Sequence, residues 1–318
     1  MKQALKTLPK SKTRDTMPVW LEFNQLALKY KTINFSHGLP GLPPAPFLIK
    51  NMHEVIDTGM NNHYTSMDGH PELRTSVAKN FSTLFNGREI CPNSEVLVTN
   101  GAIGAIYAAV NNLVNPGDEV LMFEPFYSQY INHVEFAGGK PVTAPMHCSP
   151  DGKWSFDFAA LESRLNERTK LLMITNPHNP SGKIFTYDEI AKLSAILEKH
   201  PQVTVLADDV YYFLPFDNRK YVSFANFSEA NWEKTINIFS SGKMLNATGW
   251  KIGWAIGPAD LIRQTKFSHE AHTFNLNVPG QIAVARSLDQ AFNQEFEGCR
   301  NYFEYVCKVF SEGRDAAA

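Results

Sequence analysis

A lysine with small neighbours sits directly behind an apolar run: SSGKMLNATGWKIGW, Ser240 to Trp254, follows TINIF at 235–239. Lys243 and Lys251 stand eight positions apart, bracketed by apolar residues on both sides. A lysine in a partly dry pocket loses some of its preference for charge, and its neutral amine can condense with an aldehyde. A surface loop with two solvated lysines would show the same Ser-x-Gly-Lys letters. The flanking apolar runs argue against that. A second group follows the run VTVLAD: in ADDVYYF, Ala207 to Phe213, Asp208 and Tyr211 are three apart and converge if the chain turns there. A carboxylate at a buried strand end can keep a pyridine-type nitrogen protonated, or it can simply cap the next turn.

Two further segments also come just after apolar runs. In TNPHNPSGK, Thr175 to Lys183, two Asn-Pro pairs and Ser-Gly mark a sharp turn. It is either a plain turn or a means of aiming the Asn179 amide at a ligand, fixed by a restricted, cis-capable bond to Pro180. In VTNGAIGAIYAAV, Val98 to Val110, a glycine and a small residue, Gly101 and Ala102, open a helix. Such an opening either packs tightly or presents free N–H groups and the positive dipole end to an anion such as phosphate.

The elements that must position these residues alternate regularly. The runs at 95–99, 119–123, 170–175, 203–208, 235–239 and 250–257 read as strands. Helical patterns separate the early ones, and after Pro258 the chain reads as mainly helical. The strands are apolar on both faces, as expected for a mostly parallel sheet covered by helices on each side, an α/β fold. In such sheets ligands sit beyond the carboxyl ends of the strands, which is where the four segments lie. Residues 1 to about 45 read as irregular apart from an amphipathic stretch at Trp20 to Leu28.

Of 318 residues, 43% are hydrophobic and 19% charged, ordinary values for a globular chain. The net charge of −2 gives no support for nucleic acid as a main partner. Four cysteines without a CxxC pair suit a reducing compartment better than a disulfide scaffold or zinc site, and no metal is expected. No apolar run reaches the length of a membrane span. The first fourteen residues are basic and free of acid, which fits either an organelle-targeting segment or a cytosolic tail. The compartment is therefore cytoplasmic or mitochondrial.

Taken in order, these segments resemble the class I aminotransferases of fold type I, dependent on pyridoxal 5'-phosphate, and especially the kynurenine–oxoglutarate aminotransferases. The resemblance rests on VWLEF (19–23), HGLPGLPP, YTSMDGHPELR (64–74), EVLVTNGAIGAIY (95–107), PGDEVLMFEPFYSQY (116–130), NPHNPSGKIF (176–185), ADDVYYF and SGKMLNATGWKIGW. It implies a large domain of the fold type I kind with a smaller, incomplete second one. Residues 1–45 would form an N-terminal arm and the start of the small domain, 46–290 the cofactor-binding domain, and 291–318 a linking helix.

The resemblance also assigns roles. Lys243 would carry the cofactor as a Schiff base and move the substrate's α-proton. Asp208 would pair with the ring nitrogen, Tyr211 and Asn179 with the phenolic oxygen, and Tyr127 would stack on the ring. Gly101, Ala102, Ser240 and Lys251 would hold the phosphate, joined by Tyr64 from a second subunit, which implies a homodimer with shared sites. Trp20, Gly38, Asn179 and Phe274 would contact the substrate. The expected activity is transfer of an amino group between an amino acid and a 2-oxo acid. The alternatives are β-elimination from cysteine conjugates, or a shortened structural subunit with weak or no catalysis.

Several positions depart from the pattern. Gly41 stands where relatives usually carry Asp, Asn275 where the kynurenine group often has His, and Asp209 where Glu is usual. Ile103 replaces an aromatic, which weakens the expectation of aromatic substrates. The stretch that would complete the small domain and supply an Arg for the substrate carboxylate is not found after Arg300, where only Arg314 follows.

Overall fold

A computed structural model describes residues 19–33 and 41–317. The chain divides into two compact units between Pro43 and Pro44. The first contains helix α1 (Val19–Tyr30), the amphipathic stretch expected from the sequence.

The second unit begins with α2 (Pro46–Asp57) and α3 (Pro71–Phe81), both opened by proline, whose fixed φ suits a first helical position. Then follow β1 (Val96–Asn100), α4 (Gly101–Leu113), β2 (Glu119–Glu124), α5 (Gln129–Phe136), β3 (Lys140–Cys148) and β4 (Trp154–Phe156). The middle of the unit comprises α6 (Phe158–Arg164), β5 (Thr169–Thr175), α7 (Tyr187–Glu198), β6 (Thr204–Asp208) and α8 (Glu229–Trp232). It ends with β7 (Thr235–Ser240), α9 (Ser241–Met244), β8 (Ile252–Ile256), α10 (Ala259–Thr273), α11 (Val278–Asn293) and α12 (Tyr302–Ala317). Among the described residues, no helix is long and apolar enough to cross a membrane.

The eight strands form one sheet in the order β1-β8-β7-β6-β5-β2-β3-β4. From β7 across to β3 all neighbours are parallel, whereas β8 runs antiparallel to both β1 and β7. That reversal is decisive. It brings the amino end of β8 to the same edge as the carboxyl ends of the other central strands.

Alternate residues of the central strands enter two different cores, which explains their continuous apolar runs. Leu121, Phe123, Leu172, Ile174, Val205 and Ala207 pack on one face with Leu161, Ile190 and Leu193 from α6 and α7. Val120, Met122, Leu171, Met173 and Leu206 pack on the other with Ala105, Ile106 and Ala109 of α4 and Ile262 of α10. A slip of one residue would exchange every one of these side chains between faces.

Two elements differ from the sequence reading. The run at 250–257 starts its strand only at Ile252, because a 3-10 turn at Thr248–Trp250 and a left-handed Lys251 (φ 56°) precede it. β3, with Pro141 and Pro145, is not among the strands read from the sequence. The prolines are tolerated because β4 pairs only with Met146, His147 and Cys148, leaving the proline end of β3 unpaired on its outer side.

Phe81 of α3 joins the helices to the sheet. It is fully buried, with ring centroids 4.6 Å from Phe239, 5.5 Å from Trp254, 5.6 Å from Tyr212 and 5.6 Å from Phe292. Phe81→Ala should cost roughly 3–5 kcal/mol of unfolding free energy by urea denaturation. Phe136→Ala, at a side chain 54% exposed, should stay within about 0.5 kcal/mol. Equal costs would refute this account of the core.

Candidate active site

Each chemistry-bearing segment lies at one edge of the sheet because it follows a parallel strand or, for Lys251, precedes the reversed one. Asp208 is the last residue of β6, Thr175 the last of β5 and in register with it, and Ser240 the last of β7. Gly101 opens α4 directly after β1 with φ +65°, a conformation that favours glycine.

Lys243 stands in the short helix α9. Its neighbour Gly242 is required by space: an added Cβ would lie 2.8 Å from Cα of Thr248, so the following loop can close over it. The Ser241 hydroxyl donates to the Ile252 carbonyl at 2.7 Å and fastens α9 to β8. Lys243 Nζ lies 5.5 Å from the centre of the Tyr211 ring. Burial lowers its pKa from the usual lysine value, the charge of Lys251 lowers it further, and Asp208 opposes both.

Asp208 is buried. Its Oδ2 accepts a hydrogen bond of 2.6 Å from the Tyr130 hydroxyl, which also lies 2.9 Å from Thr175 Oγ1. Its Oδ1 is buried without a hydrogen-bond partner among the described residues. Burial pushes the Asp208 carboxyl upward, while Tyr130, the nearby Val210 amide and the Lys243 charge pull it back. The adjacent Asp209 is pushed up further, by burial and by Asp208 itself, with the Tyr221 hydroxyl opposing. Lys243 is the cation that draws charge to Asp208, so Asp208 is the acid of the two that is suited to ionise. Tyr211 is pushed up to about 12, first by burial and then by Asp208 and Tyr127. It therefore remains a hydroxyl donor at neutral pH.

The opposite end of the crevice is built for an anion. A Cβ placed on Gly101 would lie 3.4 Å from Lys251 Nζ, so that amine sits against the opening turn of α4. Gly253 permits the approach: a Cβ there would lie 2.7 Å from the Gly101 carbonyl carbon and 2.8 Å from the Ala102 nitrogen. The first-turn amides of α4 and the Lys251 charge are thus concentrated at one place.

These features fit pyridoxal 5'-phosphate. The unpartnered Asp208 Oδ1 suits a ring N–H donor, the α4 opening with Lys251 suits a phosphate, and Lys243 is an amine whose charge is disfavoured. Most residues expected from the sequence come together accordingly. Lys243, Asp208, Tyr211 and Tyr127 interact electrostatically or by ring contact, and Lys251 meets Gly101 beside Ala102. Ser240 directly precedes α9 and pairs with Gly253. Asn179 is half-buried in the loop after β5, and its bond to Pro180 is cis.

Tyr64 and Phe274 meet each other, ring centroids 5.4 Å apart, and are 82% and 55% exposed. Trp20 lies on α1 in the first unit, 42% exposed, and Gly38 lies outside the described residues. Tyr130 and Thr175 are absent from the residues singled out by sequence. Their hydroxyls become informative only when β5, β6 and α5 are assembled.

The pattern of the family described as "Aminotransferase class I and II" matches residues 30–313. A kynurenine–oxoglutarate transaminase of Dictyostelium discoideum is 35% identical over 310 residues, covering 93% of this chain and 69% of that protein. Kynurenine–oxoglutarate transaminase 1 of Mus musculus is 34% identical over 306 residues, covering 93% and 71%. The solved N-succinyldiaminopimelate aminotransferase from Mycobacterium tuberculosis superposes with a TM-score of 0.87 at 34% identity, covering 95% of this chain and 75% of that one. With this extent of match, an eight-stranded sheet of the same architecture and a lysine–aspartate crevice at its edge, the chain belongs to the aminotransferase class I and II family.

Proposed function

We propose that this chain moves an amino group between an amino acid and a 2-oxo acid, with pyridoxal 5'-phosphate as cofactor and Lys243 as the residue that carries it. The observation that carries this reading is the meeting of two groups at adjacent strand ends. One is an amine with a depressed pKa. The other is a buried carboxylate with one oxygen left without a partner. When bound, the cofactor supplies an aldehyde that condenses with primary amines and a ring that takes up an electron pair.

The rest of the chemistry belongs to the chain. Lys243 Nζ takes the α-proton from the amino acid and returns it, a task suited to an amine whose neutral form is favoured by burial. Asp208 Oδ1 holds a ring N–H in place and keeps it protonated. Tyr211 and Asn179 donate hydrogen bonds to the phenolic oxygen, Asn179 also serves the substrate carboxylate, and Tyr127 packs on the ring face. Ser240, Lys251 and the amides of Gly101 and Ala102 hold the phosphate. Trp20, Gly38 and Phe274 are assigned to the substrate side.

The named relatives act on kynurenine or on N-succinyldiaminopimelate, so family membership leaves the donor open. Ile103, half-buried in the first turn of α4, stands where the kynurenine group carries an aromatic and so weakens the case for an aromatic donor. A homodimer belongs to the same proposal. Met60, Tyr64, Phe267 and Phe274 are 78%, 82%, 73% and 55% exposed, an apolar set suited to burial against a second copy. The Asn275 amide donates to the Thr65 carbonyl at 2.8 Å and ties the segment after α10 to the Tyr64 loop.

Borohydride reduction of the cofactor-loaded protein, followed by peptide mapping, should place the label on Lys243. Lys243→Ala should abolish labelling and lower amino transfer to 2-oxoglutarate by about 10²–10⁴-fold. Label on another residue would overturn the reading. Lys251→Ala removes a positive charge that disfavours the Lys243 ammonium, so the Lys243 pKa should rise, read from the pH dependence of its reductive methylation. A fall, or no change, would mean that the two amines do not interact. Sedimentation should show a dimer, and mixing Tyr64→Phe with Lys243→Ala subunits should yield one restored site per mixed dimer. Absence of complementation would exclude shared sites.

A further inference from the structure

Tyr130 is a buried hydroxyl, 2% exposed, that the reaction as described above does not use. It projects from α5 into the junction between the ends of β5 and β6, where Thr175 and Asp208 are in register. Three oxygens lie in a row. Tyr130 is 2.9 Å from Thr175 Oγ1 and 2.6 Å from Asp208 Oδ2. A phenol has one proton to give, and the shorter contact ends on the acid. The Tyr130 proton therefore points to Oδ2, and the Thr175 hydroxyl is left to donate to the Tyr130 oxygen. The same ring stands edge-on to Tyr127, with centroids 5.5 Å apart.

Resting on the reading of the site given above, we infer that Tyr130, backed by Thr175, is a positioning residue for the cofactor: it occupies Oδ2 of Asp208 so that Oδ1 faces the ring nitrogen as a carboxylate. Without it, this buried acid would have only the Val210 amide and the Lys243 charge to favour ionisation. The other ionisable groups around Asp208 work against its charge or are neutral. Asp209, pushed well up by burial and also by the Asp208 charge, stays protonated after β6, as do Tyr127 and Tyr211. A hydrogen bond to a charged group is worth one to two powers of ten in an equilibrium constant. Removing this one raises the Asp208 pKa, so the carboxylate is lost at a higher pH than in the native protein.

The test uses the full chain stripped of cofactor and titrated with pyridoxal 5'-phosphate across pH. Binding is followed by fluorescence quenching, and the ring nitrogen of ¹⁵N-labelled cofactor by its chemical shift. Tyr130→Phe should bind about tenfold more weakly near neutral pH. The acid limb of its affinity curve should move up by about one unit, and the ¹⁵N shift should move toward unprotonated pyridine. Thr175→Val should move all three readouts the same way by less, and Thr175→Ser should restore them. A folded Tyr130→Phe protein with native affinity, acid limb and ¹⁵N shift overturns the role of Tyr130, provided that Asp208→Asn binds weakly. If Asp208→Asn itself binds as the native protein does, the reading of the site fails and this inference with it. Should Tyr130→Phe not fold, Thr175→Val decides: a displaced acid limb supports the inference, and a native curve overturns it.

Discussion

The site depends on the attraction between an acid and an amine that burial would otherwise neutralise. Desolvation raises the pKa of Asp208 and lowers that of Lys243, and each charge opposes the shift of the other. Among the described residues neither group is locked in an ion pair of its own, so both remain available to a ligand. A fully solvated pair would bind water instead, and a tightly closed one would leave no oxygen free. The partial burial of Lys243 beside the deeper burial of Asp208 lies between these limits.

That balance is a property of strand direction more than of any loop. β6 and β7 are adjacent and parallel, so the residues after them emerge side by side. β8 is antiparallel to β7, so Lys251 returns to the same edge, close to Lys243 in space as well as in sequence. A parallel β8 would carry Lys251 to the opposite edge of the sheet. The cost is crowding, which glycine relieves: Gly242 and Gly253 occupy places where a Cβ would collide with backbone. The buried aromatic cluster around Phe81 then holds β7 and β8 against α3 and α11 on one face, while α4 and α10 close the other.

The parallel core was legible because its strands are buried on both faces, and such strands read as continuous apolar runs whatever the register. β3 was not, since Pro141 and Pro145 are signals for loop. What permits them is the shortness of the neighbouring β4, a fact about pairing. The start of β8 was misplaced for a related reason. Trp250 and Lys251 continue the apolar-alternating pattern, but the left-handed turn at Lys251 precedes the ladder. Lys243, Asp208 and Tyr211 could be named from residue type and position after a strand, because local order along the chain puts them there.

The sequence by itself pointed to the class of fold and to the edge of the sheet where the motif segments gather, and through its family resemblance to the amine and the acid proposed for the site. These are encoded in short segments whose periodicity and order survive without knowledge of contacts. Tertiary structure decided which oxygen of Asp208 is occupied and which is open, that Tyr130 and Thr175 stand behind it, and that Lys251 closes on Gly101. It also turned Tyr64 and Phe274 outward together on the surface. These relations join residues 45 to 210 positions apart. Hydrogen bonding and crowding act across space over a few ångströms, and no spacing along a chain specifies such a distance until the sheet has been assembled.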